Sequence, residues 1–539
     1  MKPNLLFGLV LTACGAAPPE LERPERIASE PRELSIVGTN DLHGKLEALP
    51  FLAGYLENVR AERPVVLVDA GDLFQGTLAS NLDQGAMVIE AYGAIGYHAA
   101  ALGNHEFDWG KDVLRARVRE ARFAMLSANL VDAKTRAPVE WQGLSRSTLV
   151  EVAGTKIGIV GALTEETPSI VMPGLLTGLD VVPIAETAAR EANALREHGA
   201  RLVILVAHAG GACERFDDPK NLSSCKPDSE IARVVEALPE GTFDAVFAGH
   251  THQGMAHFVR GVPVMEAYAN GVAFSRIDVR FDDAPSLKLH PPRFLCDDRR
   301  ASFADCRPGD YAGKPVRADA RIRAIVAPVL AQAEARRKAP VGISLASSID
   351  ESFTRESELG NLFADLLREA ADDAAVGLMN GGGLRAPLPA GPLLYGSLHE
   401  AMPFDNRLAV VEVSAAELAA LIAKHLTSDK HGILSVSGMR VRAQCKAGEL
   451  EVTLARDGDK PIADDERVRI ATSDYLATGG DELFSIPRER VSLTSELVRD
   501  AFARLLSARG GTLDPENPAL VDPARPRIAL PQPRPVRCP

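Results

Sequence analysis

Residues 103 to 110 read GNHEFDWG and set a histidine between an amide and a carboxylate, with a second carboxylate, Asp108, three positions on. Taken alone, the octapeptide fits a structural histidine or a metal-and-acid site equally well. In chain order, however, the sequence also offers Asp41 and His43 in TNDLHG, Asp72 in DAGDLFQG, Asn104 and His105 in GNHE, His208 in VAHAG, and His250 and His252 in AGHTH. Imidazole nitrogens and carboxylate oxygens suit zinc, manganese or iron, and the lack of thiolates argues against a closed structural zinc site. In an extended segment, Asp-x-His and His-x-His place both members on one side, so each pair can face one centre.

The elements that must carry these residues are legible around them. From Glu33 to about Phe281 short apolar runs (LSIVGTN, VVLVDAGD, FAMLSANL, KIGIVGAL, LVILVAHAG, FDAVFAGH) alternate with polar turns and helical stretches. Near-continuous apolar runs of this length are strands covered on both faces, which predicts an α/β domain with a layered sheet. The polar residues gather beyond the strand ends, where open α/β sheets bind ligands. Residues 316–340 read as a linker helix, with Ile322, Ile325, Val326, Val329 and Leu330 at helical spacing and Pro328 placed to kink it. A second domain is expected over 341–529, with helices at ELGNLFADLLREAA and SAAELAALIAKHL and strands at RLAVVEVS and RVRIATSDYL, followed by a surface tail at 530–539.

A length of 539 residues calls for at least two domains. The net charge of −13 excludes a general nucleic-acid polymer binder, which needs a basic face to displace counterions. At the start, MKPNLLFGLVLTAC combines a lysine, an apolar run too short to span a bilayer and small residues before a cysteine, the pattern of a secretory signal. Leu11 to Cys14 resembles the bacterial lipobox. This implies a signal peptide at 1–13, lipidation of Cys14, a tether at 14–32, and a lipid-anchored place in the bacterial cell envelope facing the periplasm or exterior. Six cysteines remain, an even number suited to an oxidising compartment. Proximity pairs Cys213 with Cys225 and Cys296 with Cys306, and leaves Cys445 to hold the tail at Cys538.

The ordered series DxH, GD, GNH, H and GHTH resembles the calcineurin-like metallophosphoesterases. The motifs NGGGLR (380–385), PFDN (403–406) and SDYLATGGDE (473–482) narrow the resemblance to the 5'-nucleotidase family that includes bacterial UDP-sugar hydrolases. It covers nearly all of the chain after the tether. It implies an N-terminal four-layered α/β/β/α domain over 33–315 and a C-terminal α/β nucleotide-binding domain. It also implies two divalent ions, zinc, manganese or similar: Asp41, His43, Asp72 and His252 around one, and Asp72, Asn104, His208 and His250 around the other, with Asp72 bridging. Some members carry Gln at the place of His252. Such a pair, about 3.5–4 Å apart, can clamp a phosphoryl oxygen and generate the attacking hydroxide. In the resemblance, His105 serves the leaving side of phosphorus and Asp108 orients its ring.

For the substrate, the resemblance implies that Phe404 and Tyr475 sandwich a base, that Asp481 takes ribose hydroxyls, and that Asn380, Gly382 and Arg385 meet phosphate. Glycines let backbone approach an anion closely, and a guanidinium reads phosphate with two hydrogen bonds. A further family arginine has no match in place; Phe353 stands there, and Arg355 two residues later is the substitute. The expectation is a phosphohydrolase of nucleoside 5'-monophosphates, extending to UDP-sugars, with no protein partner and with a domain rotation about the linker. The rivals are a 2',3'-cyclic phosphodiesterase, a sulfur-ester hydrolase of the same fold, and a non-catalytic nucleotide-binding surface lipoprotein.

Overall fold

The computed structural model describes residues 33–172, 174–281, 285–456, 458–484 and 486–539. The signal peptide, Cys14 and the tether lie outside the described residues. No helix among the described residues is long and apolar enough to cross a membrane.

The first domain is built on two packed sheets. In the seven-stranded sheet, Glu33–Thr39 runs parallel to Val65–Asp69 and antiparallel to Ala273–Phe281. In the six-stranded sheet, Leu202–His208 lies between parallel neighbours Thr155–Leu163 and Ala245–Ala248. Alternation along each strand sorts the side chains into layers. Ile36, Val66 and Val68 meet Ile157, Ile159, Ile204 and Val206 in a core between the sheets. The intervening Val37 and Leu67 turn to helices on one outer face, and Val160, Val203 and Leu205 to helices on the other. The order is therefore helix, sheet, sheet, helix, and it explains why the strands read as unbroken apolar runs.

The helix of the linker segment spans Ala320–Arg337, and Asp319 caps it by accepting hydrogen bonds from the amides of Arg321 (2.7 Å) and Ile322 (3.1 Å). Pro328 stands inside the helix without ending it. Ile322, Val326, Val329 and Ala333 bury themselves in the first domain's core beside Tyr55 and Tyr92. By packing, this helix belongs to the first domain, and its last turn reaches the second through an Arg336–Asp500 ion pair of 2.9 Å.

The second domain centres on a five-stranded mixed sheet. Val376–Asn380 and Arg467–Ser473 are parallel neighbours, and Arg407–Ser414 pairs antiparallel with the latter. Helix Glu358–Ala370 covers one face with Leu362, Phe363 and Leu366, and Ala415–Leu426 covers the other with Leu418 and Ile422. The latter helix starts on a capping box, in which Ser414 Oγ accepts from the Glu417 amide (3.1 Å) and the Glu417 carboxylate accepts from the Ser414 amide (2.7 Å). Among the described residues the disulfides are Cys213–Cys225, Cys296–Cys306 and Cys445–Cys538. The tail is more than a surface strap: Val536 is buried in the core beneath Ala415–Leu426.

Candidate active site

Parallel strands bring their C-terminal ends to one edge, and the sequence-predicted ligands hang from those ends. Asp41, Asp72 and Asn104 follow strands Glu33–Thr39, Val65–Asp69 and Ala99–Ala101 of the seven-stranded sheet. His208 ends one strand of the other sheet, and His250 follows another. Ligand atoms of Asp41, His43 and His252 lie within 4.8 Å of one another, and so do those of Asp72, His208 and His250. Asp72 Oδ2 stands 3.1 Å from His208 Nε2 and 3.8 Å from His43 Nε2, between the two groups. Asn104 Oδ1 is 3.0 Å from His208 Nε2.

The pairs do not converge by strand alternation, as the extended reading expected. Asp41, His43, Asp72, His250 and His252 all adopt positive φ, between 49° and 84°. Left-handed backbone at a non-glycine residue costs about 1 kcal/mol or more each and persists only where the surroundings impose it. Here the strand ends turn sharply, and the turn rather than the pleat aims the side chains. Gly103 is required by close approach instead, since a Cβ there would fall 2.2 Å from Asp72 Oδ1.

The donor chemistry fits cations. His43 Nδ1 donates to the Gln75 carbonyl (2.8 Å) and His208 Nδ1 to the Ala70 carbonyl (2.9 Å), so each ring, when neutral, aims a bare Nε2 inward. His43 Nε2 then faces His252 Nε2 at 3.0 Å, and His208 Nε2 faces His250 Nδ1 at 3.2 Å. Asp41 Oδ1 is buried without a hydrogen-bond partner, 3.4 Å from His252 Nε2. Lone pairs crowded on lone pairs need positive charge between them. Burial opposes charge on His208, yet Asp72 beside it lifts its pKa to about 10, so the acidic donors call for positive charge at this ring, which a cation at Nε2 would supply in place of a proton. Burial also works against the Asp72 carboxylate, and His208, His105 and His43 outweigh it and hold its pKa well below the usual range.

His105 stands beside this centre, its ring 5.2 Å from that of His43, and its Nδ1 is held by Asp108 Oδ2 at 2.7 Å. Burial works against a charged imidazole, but Asp72 and Asp108 outweigh it and lift its pKa to about 10. The ring opens into a cavity of about 200 Å3 between the domains. Gln75, His105, Asp108 and Trp109 line it from the first domain, and Asn380, Gly382, Arg385, Phe404 and Tyr475 from the second. The Arg385 guanidinium lies 5.2 Å from the centre of the Phe404 ring. Gly480 lies under the Tyr475 ring, where a Cβ would come within 2.6 Å.

Two predicted contacts fall elsewhere. Arg355 is exposed and does not line the cavity. Asp481 stands behind it, accepting from Asn380 Nδ2 (2.8 Å) and the Tyr475 hydroxyl (2.9 Å), so it braces two lining residues.

Sequence reasoning missed Glu106. Its buried carboxylate accepts from the amides of Asp72 (2.9 Å), Leu73 (2.8 Å) and Gly103 (2.6 Å), tying the loop of one ligand to the loop of the next. Burial, aided by Asp72, pushes its pKa up to about 8. Its place three residues after Gly103 in an apolar setting was the available signal. Arg499, also missed, is nearly buried and holds the Phe404–Asp405 loop.

A phosphoesterase-type centre of carboxylate, amide and imidazole donors at the edge of an α/β/β/α sandwich, facing a second α/β domain, defines a two-domain metallophosphoesterase. The calcineurin-like phosphoesterase model matches residues 34–254, and the 5'-nucleotidase C-terminal domain model matches residues 331–488. The chain is 26% identical over 534 residues to a 5'-nucleotidase of Diplobatis ommata, covering 86% of this chain and 85% of that one. It is 25% identical over 499 residues to protein UshA of Yersinia enterocolitica, covering 83% and 86%. A solved 5'-nucleotidase precursor from Thermus thermophilus superposes with a TM-score of 0.61 at 22% identity, over 89% of this chain and 97% of that one. The chain belongs to the 5'-nucleotidase family of metal-dependent phosphoric monoester hydrolases.

Proposed function

We propose that this protein is an exported phosphohydrolase that releases phosphate from nucleoside 5'-monophosphates, with UDP-sugars and other nucleotides as further substrates. The observation that carries the reading is the single cavity lined by His105 and Asp108 on one side and by Phe404, Tyr475, Asn380 and Arg385 on the other. A ligand filling it presents one end to an acid beside the ligand cluster and the other to two aromatic rings. Base stacking on such rings is worth about 1–3 kcal/mol.

Two divalent ions held by Asp41, His43, Asp72, Asn104, His208, His250 and His252 would polarise phosphoryl oxygens and make an attacking water acidic. Hydrolysis forms a P–O bond to water and breaks the ester P–O bond, so the departing 5'-oxygen needs a proton. His105 supplies it, with Asp108 fixing the ring so that Nε2 carries the proton toward the cavity. Arg385 and Asn380 hold phosphate oxygens, and Phe404 and Tyr475 hold the base. Export is supported by three disulfides, which persist in oxidising compartments; lipidation at Cys14 completes the proposal.

The test is phosphate release from AMP with manganese or zinc supplied and with chelator, followed by UDP-glucose, cyclic AMP isomers and bis(4-nitrophenyl) phosphate. Chelator-sensitive release from AMP is expected. A metal-loaded protein that leaves AMP intact sinks the reading.

A further inference from the structure

Trp109 is the penultimate residue of the GNHEFDWG motif, and nothing in the chemistry above uses it. It stacks on Phe74 within the first domain, with ring centroids 6.5 Å apart and planes at 26°. Its indole N–H crosses the cleft to Asp405 Oδ2 of the second domain, at 3.4 Å. Trp109 directly follows Asp108, the partner of His105, and Asp405 directly follows Phe404. The contact thus joins the acid side of the cavity to its aromatic side.

Asp405 is held from behind with unusual completeness. Its other oxygen accepts from Arg499 at 2.6 Å, and every nitrogen of that guanidinium is engaged. Nε donates to the Tyr395 hydroxyl (3.1 Å), and one terminal nitrogen donates to the carbonyls of Met402 (2.9 Å) and Phe404 (3.1 Å). Tyr395 in turn donates to Asp500 (2.7 Å), which also accepts from Arg336 in the last turn of the linker helix. An unbroken polar chain therefore runs from the linker helix through Asp500, Tyr395, Arg499 and Asp405 to Trp109. A charged, multiply bonded brace of this kind fixes a side chain more firmly than a single neutral hydrogen bond does.

We infer that Asp405 is a positioning residue. Braced by Arg499 and latched to Trp109, it sets the Phe404 wall in register with His105. The inference rests on the proposed nucleotide reading, because only a substrate spanning both walls gains from their registration. A small aryl phosphate needs the ligand cluster and His105 alone and is indifferent to where Phe404 stands.

Two variants separate the latch from the brace. Trp109→Phe keeps the stack on Phe74 and removes the N–H. Asp405→Asn keeps an oxygen for Arg499 and turns an amide NH2 toward the indole. Each is expected to lower kcat/KM for AMP about tenfold more than kcat/KM for 4-nitrophenyl phosphate, mostly through KM, and the double variant to lose no more than either one. Equal losses on both substrates, or additive losses in the double variant, overturn the inference. A second measurement does not depend on the substrate. The chain has two tryptophans, Trp109 and Trp141. In a Trp141→Phe background, Asp405→Asn should shift the emission of Trp109; unchanged emission overturns the latch even if AMP is cleaved. Should AMP prove not to be a substrate while emission shifts, the nucleotide reading fails and the latch stands.

Discussion

Replacing Glu106 by glutamine tests how far the ligand loops depend on a residue that holds them by their backbone amides. The wild-type carboxylate takes three amides: Oε2 those of Asp72 and Gly103, and Oε1 that of Leu73. Glutamine can keep its oxygen on the Asp72–Gly103 pair, but its NH2 then confronts the Leu73 N–H. One buried donor is left unsatisfied and, above the Glu106 pKa of about 8, two bonds lose their charge assistance. An unsatisfied buried group costs about 1–3 kcal/mol, so a net loss of about 2 kcal/mol is expected. Glutamine also relieves the burial of charge and the repulsion from Asp72, which act in the opposite direction. For a domain of this size the loss lowers the midpoint of unfolding by about 3 °C. The assay is calorimetry of wild type and Glu106→Gln in chelator, then with added manganese, in buffer above the Glu106 pKa of about 8 so that the wild-type group is a carboxylate. The variant should melt lower in chelator and need more metal for the same stabilisation, since its Asp72 and Asn104 loops are no longer tied together. Coincident melting curves in chelator would refute the argument, because they would mean that those three amides do not depend on the carboxylate.

His105→Ala should retain bound metal, measured by elemental analysis, while turnover of the phosphate ester falls at least ~100-fold. Burial lowers the pKa of both His399 and His425 to about 4, so the fold favours their neutral forms. That stability is fully present above pH 6.5 and drains as pH falls toward 4. By pH 5 each has withdrawn about 2 kcal/mol. Unfolding midpoints from pH 7 to 5 should fall more gently in His399→Gln than in wild type. Cys445–Cys538 closes a separation of 93 residues, so Cys538→Ser should destabilise the second domain, by up to about 4–5 kcal/mol on chain-entropy grounds. Denaturant unfolding with and without reductant reads the difference, and reductant should change the variant less than wild type.

The layered fold was legible because each strand buries both faces. The apolar runs at 34–39 and 202–207 announce this without any knowledge of partners. Cysteine pairing was legible from proximity alone for two bridges, and arithmetic left the third. The strand-end residues could be collected by type, and the structure does bring Asp41, His43, Asp72, Asn104, His208, His250 and His252 together. The manner of their meeting was hidden, since left-handed turns at Asp and His leave no mark in a residue pattern. Arg355, offset by two residues from the unmatched family arginine, is exposed and outside the cavity lining, because sequence offset is a poor guide to direction at a loop. Arg499 was invisible for the opposite reason. It sits one residue after Val498 at the start of a helix, and only the return of the Met402–Asp405 loop, nearly a hundred positions earlier in the chain, gives its guanidinium a purpose. Glu106 and Trp109 lay inside the quoted motif but act through amides and a carboxylate that no local spacing reveals.

The donors around the ligand cluster are split between the two sheets: Asp41, Asp72 and Asn104 on one, His208, His250 and His252 on the other. Neither sheet, folded by itself, owns a site. Metal uptake is therefore an assay of completed assembly, and a cation that enters also rivets the sandwich, making separation of its halves the motion that metal resists most. Chelation should accordingly be felt at the seam between Ile36 and Ile204, deep in the protein, as faster amide exchange well away from any ligand.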